Sequence, residues 1–504
     1  MNKLWMTDAR RRRLRRLPLI SPRMWMRRLV FWFGSIFVAL IAIAFASLAN
    51  TASELFMTLQ APRPWIAFIV CPAGLTISFL LTRHVFPGAQ GSGIPQVIAA
   101  QHMTDRDAIG RVLSPRIAVG KVLLTLLGLA SGASIGREGP TVQVGASLMH
   151  ALGRLLRLPR LELERALVLA GGAAGIAAAF NTPIAGVVFA IEELSHAFEA
   201  RTSGTVLTGV ILAGITTVAL EGNYTYFGHA SAELDFGIGW TAVILCSVAG
   251  GLGGGLFSAA LIRAAAGLPG RAGKWLIRYP VQFAMICGLL IAAIGVLSGS
   301  QTYGTGYDQA RAMVEGTATL PGSYVVLKFL ATVISYVSGI PGGIFAPSLS
   351  VGAGLGAWLS HFLPSAPAGA MVLLGMVAYF SGVVQAPITA TVIVMEMTDD
   401  QRVTVPLMAT AFLAFGVSRL VCRRPLYGAL ARIFLAAQLR RPDAPLTPGS
   451  LTPGVLSPGS LMPGLLAEGT PLPVDATLVE PVVEPVVEPT PPPPAGGGQG
   501  EGAA

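Results

Sequence analysis

Charge is the scarcest property of this 504-residue chain: Asp, Glu, Lys and Arg together make up 12% of it, about half of what a soluble protein carries. That shortage excludes a water-soluble enzyme. Cysteine is nearly absent too, with Cys71, Cys246, Cys287 and Cys422 scattered and no CxxC spacing, so neither a disulfide framework nor a thiolate metal site is expected. The six histidines form no metal-ligand spacing and HExxH is missing. Gly120-Lys121 is followed by valine and lacks the upstream glycine of a Walker A loop, which argues against transport driven by ATP in this chain. No cofactor is expected.

What fills the chain is apolar: 53% of the residues are hydrophobic, and sixty glycines suit membrane helices that pack closely and break where function needs it. Residues 1–28 hold ten basic residues against Asp8 alone, directly before the 25 uncharged residues Leu29–Ser53. By the positive-inside rule this end faces the cytoplasm, a better reading than a nucleic-acid-binding arm. The apolar stretch exceeds a signal peptide's core and is read as a retained membrane helix. Further charge-free runs occur at Pro64–Thr82, Ala166–Ile191, Thr202–Leu220, Phe236–Ile262, Tyr279–Tyr307 and Val403–Ser418, each near the length of a bilayer crossing. The longest, Phe329–Met395, is interrupted by glycines and prolines and predicts short, broken helices. Basic loops at Arg154–Arg165, Arg263–Arg278 and Arg419–Arg441 are expected in the cytoplasm, and the acidic Glu221–Asp235 outside. Three parts follow: a basic segment 1–28, a membrane domain 29–438 and a proline-rich, low-complexity tail 439–504 that cannot bury a core.

The membrane part repeats itself. GSGIPQV (91–97) matches GTGYDQA (304–310); SGASIGREGPTVQVGASLMHAL (131–152) matches SGIPGGIFAPSLSVGAGLGAWL (338–359) with nine identities in 22 positions; residues 167–192 match 371–396 with eight in 26. Ordered matches at offsets near 207 predict two related halves, about 65–220 and 280–420, of tilted, partly broken helices in an all-α polytopic membrane protein. Repeated halves with discontinuous helices are the usual construction of secondary transporters.

Three glycine-rich breaks each place a proline where a helix can begin: Gly91-Ser-Gly-Ile-Pro95, Gly136-Arg-Glu-Gly-Pro140 and Gly342-Gly-Ile-Phe-Ala-Pro347. Each helix start exposes free amides and the positive end of a dipole where no water can satisfy them. Three together predict an anion site. These motifs, with Pro425-Leu426-Tyr427 after them, resemble the signature set of the CLC chloride channels and proton-coupled chloride exchangers over about residues 30–435.

The resemblance implies a homodimer with one ion pathway per subunit and two inverted-topology halves in each. It also implies a multi-pass protein of the plasma (inner) membrane with both termini cytoplasmic. It assigns the hydroxyls of Ser92 and Tyr427 and the backbone amides of Ile344 and Phe345 to a central chloride. The plainer alternatives are a helix cap for Ser92 and an interfacial anchor for Tyr427. Glu138 is the central candidate: a carboxylate in an apolar region beside a helix start can occupy an anion site when ionised and leave it when protonated, so it gates and carries a proton. Arg137 either pairs with Glu138 or raises the local anion potential. Glu192 and Glu193 end an apolar run. Glu192 matches Glu396 in the repeat, which suggests helix contacts or capping, whereas Glu193 matches Met397. By resemblance Glu193 holds the internal proton-transfer position of the exchangers. Lys121 and Lys328, the other intramembrane charges, are expected to face protein or a water-filled vestibule.

The resulting expectation is an antiporter of chloride and protons, with a passive chloride channel on the same fold as the alternative. Gly132-Ala-Ser-Ile-Gly136 formally matches a hydrolase GxSxG pattern, but its setting in a glycine-rich membrane segment removes the strand-to-helix elbow that chemistry needs.

Overall fold

The computed structural model describes residues 22–156, 161–195, 203–222, 225–228, 234, 237–398, 400 and 402–439. Most of the basic first segment and all but the first residue of the proline-rich tail lie outside these residues, as do parts of the loops on which orientation was argued.

The described residues form nineteen α-helices. The first nine are α1 (Pro22–Gln60), α2 (Ala67–His84), α3 (Ile94–His102), α4 (Arg106–Val112), α5 (Pro115–Leu129), α6 (Glu138–Leu155), α7 (Leu161–Phe180), α8 (Pro183–Phe189) and α9 (Ser203–Glu221). Next come α10 (Thr241–Ala266), the short amphipathic α11 (Gly270–Arg278), α12 (Pro280–Leu297), α13 (Tyr307–Val314) and α14 (Ser323–Val337). The last five are α15 (Phe345–Ser360), α16 (Ala368–Val384), α17 (Pro387–Thr398), α18 (Thr404–Val421) and α19 (Leu426–Leu439). Seven helical stretches among the described residues are long and apolar enough to cross a bilayer, from Trp25–Gln60 to Thr404–Val421.

Helices so uniformly apolar have no wet face. Their outer residues, Phe33 and Phe37 of α1 and Leu420 of α18 among them, are exposed because lipid is the solvent they meet. Association must then come from close packing rather than from hydrophobicity. Gly145 of α6 lies so close to Gly171 of α7 that an added Cβ would stand 2.2 Å from the Gly171 carbonyl oxygen. Gly352 of α15 meets Gly375 of α16 in the same way, at 2.7 Å. These two contacts are repeat partners, so the tightest helix pair of one half recurs in the other. The halves also begin alike: α1 packs on α7 and α9 as α10 packs on α16 and α18.

Their relative direction follows from two carboxylates. Glu192, just past α8, accepts hydrogen bonds from the amides of Ile388 (3.2 Å) and Thr389 (2.6 Å) at the start of α17. Glu396, near the end of α17, accepts from Ile184 (3.0 Å) and Ala185 (2.8 Å) at the start of α8. Each helix ends where its repeat partner begins, so α8 and α17 run antiparallel and the two halves are inverted. The capping expected of Glu192 and Glu396 is therefore reciprocal, a carboxylate at the positive end of each dipole.

Three details differ from the sequence reading. The run Ala166–Ile191 is two helices rather than one span, because Asn181 adopts a left-handed conformation (φ 57°) and Pro183 starts α8 afresh. Of Tyr279–Tyr307 only α12 is membrane helix, and the rest turns back through Ser300 and Gly304 at positive φ. Proline is not the first residue of the broken helices: Pro95 is second in α3, Pro140 and Pro347 third in α6 and α15. Any of the first turn's amides lacks an intrahelical acceptor, so proline is tolerated throughout that turn. All four cysteines are free and buried, as packing residues should be.

Candidate functional site

The three glycine-rich breaks meet at the centre. Gly91 donates to the Ile340 carbonyl (3.3 Å) and accepts from Gly342 (3.1 Å), while Gly136 and Gly343 exchange a pair of hydrogen bonds at 2.7 Å each. Side chains would forbid this. A Cβ on Gly139 would lie 2.3 Å from the Ser92 hydroxyl oxygen, and one on Gly93 (φ 103°) 2.9 Å from the Gly139 carbonyl oxygen. The result is that α3, α6 and α15, capped by Gly93, Arg137 and Ile344, point their amino-terminal ends at one another. Such a convergence of dipoles and free amides attracts negative charge.

Two buried lysines hold the loops behind these ends. Lys121 of α5 donates to the carbonyls of Ala89 (2.8 Å) and Gly91 (2.7 Å), and Lys328 of α14 to those of Thr302 and Gly304 (2.9 Å each). Lys121 and Lys328 stand 207 residues apart, and their acceptors are likewise repeat partners. Both face protein, each satisfied by backbone carbonyls.

The six residues singled out from the sequence are all buried: Ser92, Glu138, Glu193, Ile344, Phe345 and Tyr427. Tyr427, at the start of α19, turns its hydroxyl toward Ser92, yet neither oxygen completes a well-aligned hydrogen bond with a protein group. Two buried hydroxyls so disposed are costly unless something polar engages both. Glu138 and Glu193 are both near enough to act electrostatically on this tyrosine. Its ring packs against Phe345 (5.9 Å between centroids), itself enclosed by Phe180, Phe189 and Phe380. That aromatic collar keeps the surroundings of the hydroxyls apolar.

Glu138 is the first residue of α6. Around its carboxylate stand the Arg137 guanidinium, the backbone amides of Glu138 and Ala346 and the Tyr226 hydroxyl, but neither oxygen forms an aligned hydrogen bond. It sits in the field of one full charge and several dipoles rather than in fixed bonds. Arg137 directs its guanidinium to the Ala46 carbonyl, to Asn50 (2.7 Å) and to the Tyr226 hydroxyl (3.4 Å), and its charge also acts on Glu138.

Glu193 lies in a stretch of π-helix, Ala190–Ser195, where the widened turn carries it inward while its neighbour Glu192 caps α17. Wide turns of this kind are frequent at functional sites. Neither glycine nor proline marks this one, and sequence reasoning did not find it. It also missed Tyr226 and Tyr336, the second of which stands within 3.5 Å of where a Gly91 side chain would begin. Ser134, the serine of the GxSxG pattern, is buried with its hydroxyl bonded to that of Thr332 (3.0 Å), a packing arrangement.

Residues 73–419 match the sequence profile described as Voltage gated chloride channel. The chain belongs to this family. Its relatives include the H(+)/Cl(-) exchange transporter ClcA of Yersinia pseudotuberculosis serotype IB (strain PB1/+), 30% identical over 412 residues that span 78% of this chain and 82% of that protein. Among solved structures, a slow cyanobacterial Cl-/H+ antiporter superposes with a TM-score of 0.70 at 25% identity, covering 82% of this chain and 99% of the other. A CLC-type fluoride/proton antiporter shares the fold at 21% identity and a TM-score of 0.65, over 81% of this chain and 98% of its own. The family's polytopic, helical, inverted-repeat architecture is the one described above.

Proposed function

We propose that this protein is a secondary antiporter exchanging chloride for protons, and that its ion pathway passes through the convergence of α3, α6 and α15. One observation carries the reading: two buried carboxylates, Glu138 and Glu193, lie within electrostatic reach of a pair of buried hydroxyls with no aligned protein partner. The names of the relatives, which describe exchange of chloride and protons, support it.

In this mechanism chloride is the substrate held at the centre, by the Ser92 and Tyr427 hydroxyls and the amides of Ile344 and Phe345. Partial charges replace its water without the full positive charge that would trap it. Ionised Glu138 competes for the same amino-terminal field. Protonation removes that attraction, the side chain swings out, and the anion path opens. Glu193 exchanges the proton with the opposite side, so chloride and proton share the centre and separate at the inner end.

The alternative, passive conduction with Glu138 as gate only, leaves Glu193 without a task. A carboxylate inside the membrane costs about 2.5–3.5 kcal/mol, and one with no function would be replaced readily. The same reading takes the protein as a homodimer in the plasma (inner) membrane, with both termini cytoplasmic and the Tyr226 loop outside.

The reversal potential of the reconstituted current tests the proposal. Under a fixed chloride gradient, exchange requires it to move when a pH gradient is added; a reversal potential that stays at the chloride equilibrium value would establish a channel.

A further inference from the structure

Between the two halves, residues 225–228 lie beside the site. Residues 225–228 are fastened to the second half: the Phe227 amide donates to the Met397 carbonyl at the end of α17 (3.0 Å), and Gly228 (φ 78°) lies against the Glu315 carboxylate beyond α13. Tyr226, between these anchors, reaches into the first half. Its ring is buried and packs edge-on against Phe180 (5.6 Å), Phe227 (5.1 Å) and Tyr307 (4.7 Å). The Arg137 guanidinium lies over its face at 5.9 Å and donates to its hydroxyl, and that hydroxyl faces the Glu138 carboxylate. A phenol that accepts from a cation has its proton free to offer to an anion. Tyr226 thus bridges the one arginine and the one carboxylate of the Gly-Arg-Glu-Gly-Pro motif from a separate part of the chain.

We propose that Tyr226 is a positioning residue for Glu138, holding the ionised carboxylate in the pathway and closing it from the outer side, so that the departure of Glu138 is governed by this hydroxyl. This rests on the role given to Glu138 above. Around the pair stand Arg137 from the cap of α6, the Ala346 amide from α15, Tyr226 itself from residues 225–228 and Tyr427 from α19. Behind Tyr226 stands α13, whose Tyr307 hydroxyl accepts from Arg311 (3.4 Å), itself paired with Glu315 (2.8 Å). A hydroxyl placed beside a carboxylate, with its proton free to turn toward it, favours the ionised state. Its removal therefore lets Glu138 take a proton and leave the pathway under less acidic conditions.

The test is Tyr226→Phe, which keeps the ring and its aromatic contacts, reconstituted in liposomes beside the wild type, with chloride efflux measured against external pH. The expected result is transport that persists to higher external pH, the profile displaced upward by about one pH unit, the size of a net hydrogen bond to a charged acceptor. The same substitution in a Glu138→Gln background should change nothing. An unshifted profile in Tyr226→Phe overturns the proposal, and so does an effect that survives undiminished in the Glu138→Gln background. Chloride efflux reads the tyrosine whether or not protons move, so wild-type efflux without proton movement sinks the exchange reading while leaving this one to be judged on its own.

Discussion

The two halves of the molecule agree where they build and differ where they act. Lys121 and Lys328 hold matching loops, Glu192 and Glu396 cap each other's helices, and the Gly145–Gly171 contact recurs as Gly352–Gly375. Yet Glu138, the first residue of α6, has Phe345 as its partner, the first residue of α15, and Glu193 has Met397. One half presents titratable carboxylates to the centre, the other an aromatic ring and bare amides. Symmetry supplies a crossing point of dipoles, which alone would bind an anion from either side. In the proposed mechanism the two departures from symmetry couple that anion to a proton.

The comparison can be broken most completely at Glu138. Glu138→Gln removes the titratable group but keeps its shape, and proton flux should fall to the lipid leak while chloride flux continues; proton transport at the wild-type level would sink its role. At Glu193, Glu193→Gln should leave chloride flux and lower proton flux by about 100-fold, the scale of one acid–base group. Substituting Met397 by glutamine, by contrast, should leave coupling intact.

The matched positions should respond in pairs. Lys121→Met and Lys328→Met each orphan buried carbonyls and should cost about 3 kcal/mol in detergent-phase unfolding. Only the first should also weaken chloride binding by calorimetry, because the Gly91 carbonyl it holds also receives the Gly342 amide. A smaller effect is due at the crossed caps: Glu192→Gln and Glu396→Gln should each cost about 1 kcal/mol, and losses that differ severalfold would contradict the inverted equivalence of α8 and α17.

How much of this was legible in sequence depended on whether a feature announces itself locally. Glycine and proline announce backbone breaks, so the three helix starts and the fragmentation of Phe329–Met395 could be read directly. Repetition exposed Glu192 with Glu396 and singled out Glu193. Direction could not be read, since sequence identity is blind to which way a segment runs; only the crossed caps give it. The partners of Lys121 lie about thirty residues upstream, in a loop whose register only tertiary packing sets. Tyr226 sits in a short stretch with no periodicity, and its meaning depends on Arg137, 89 residues away. The break at Asn181 was hidden inside an apolar run of ordinary spanning length.

The measurement closest to the central claim uses purified protein in liposomes, with a chloride gradient imposed, the voltage clamped by potassium and valinomycin, and internal pH followed. The proposed roles of Glu138 and Glu193 require chloride flowing down its gradient to drive protons uphill. Chloride movement with no change of internal pH would contradict the account and leave Glu193 a buried charge at the end of a helix.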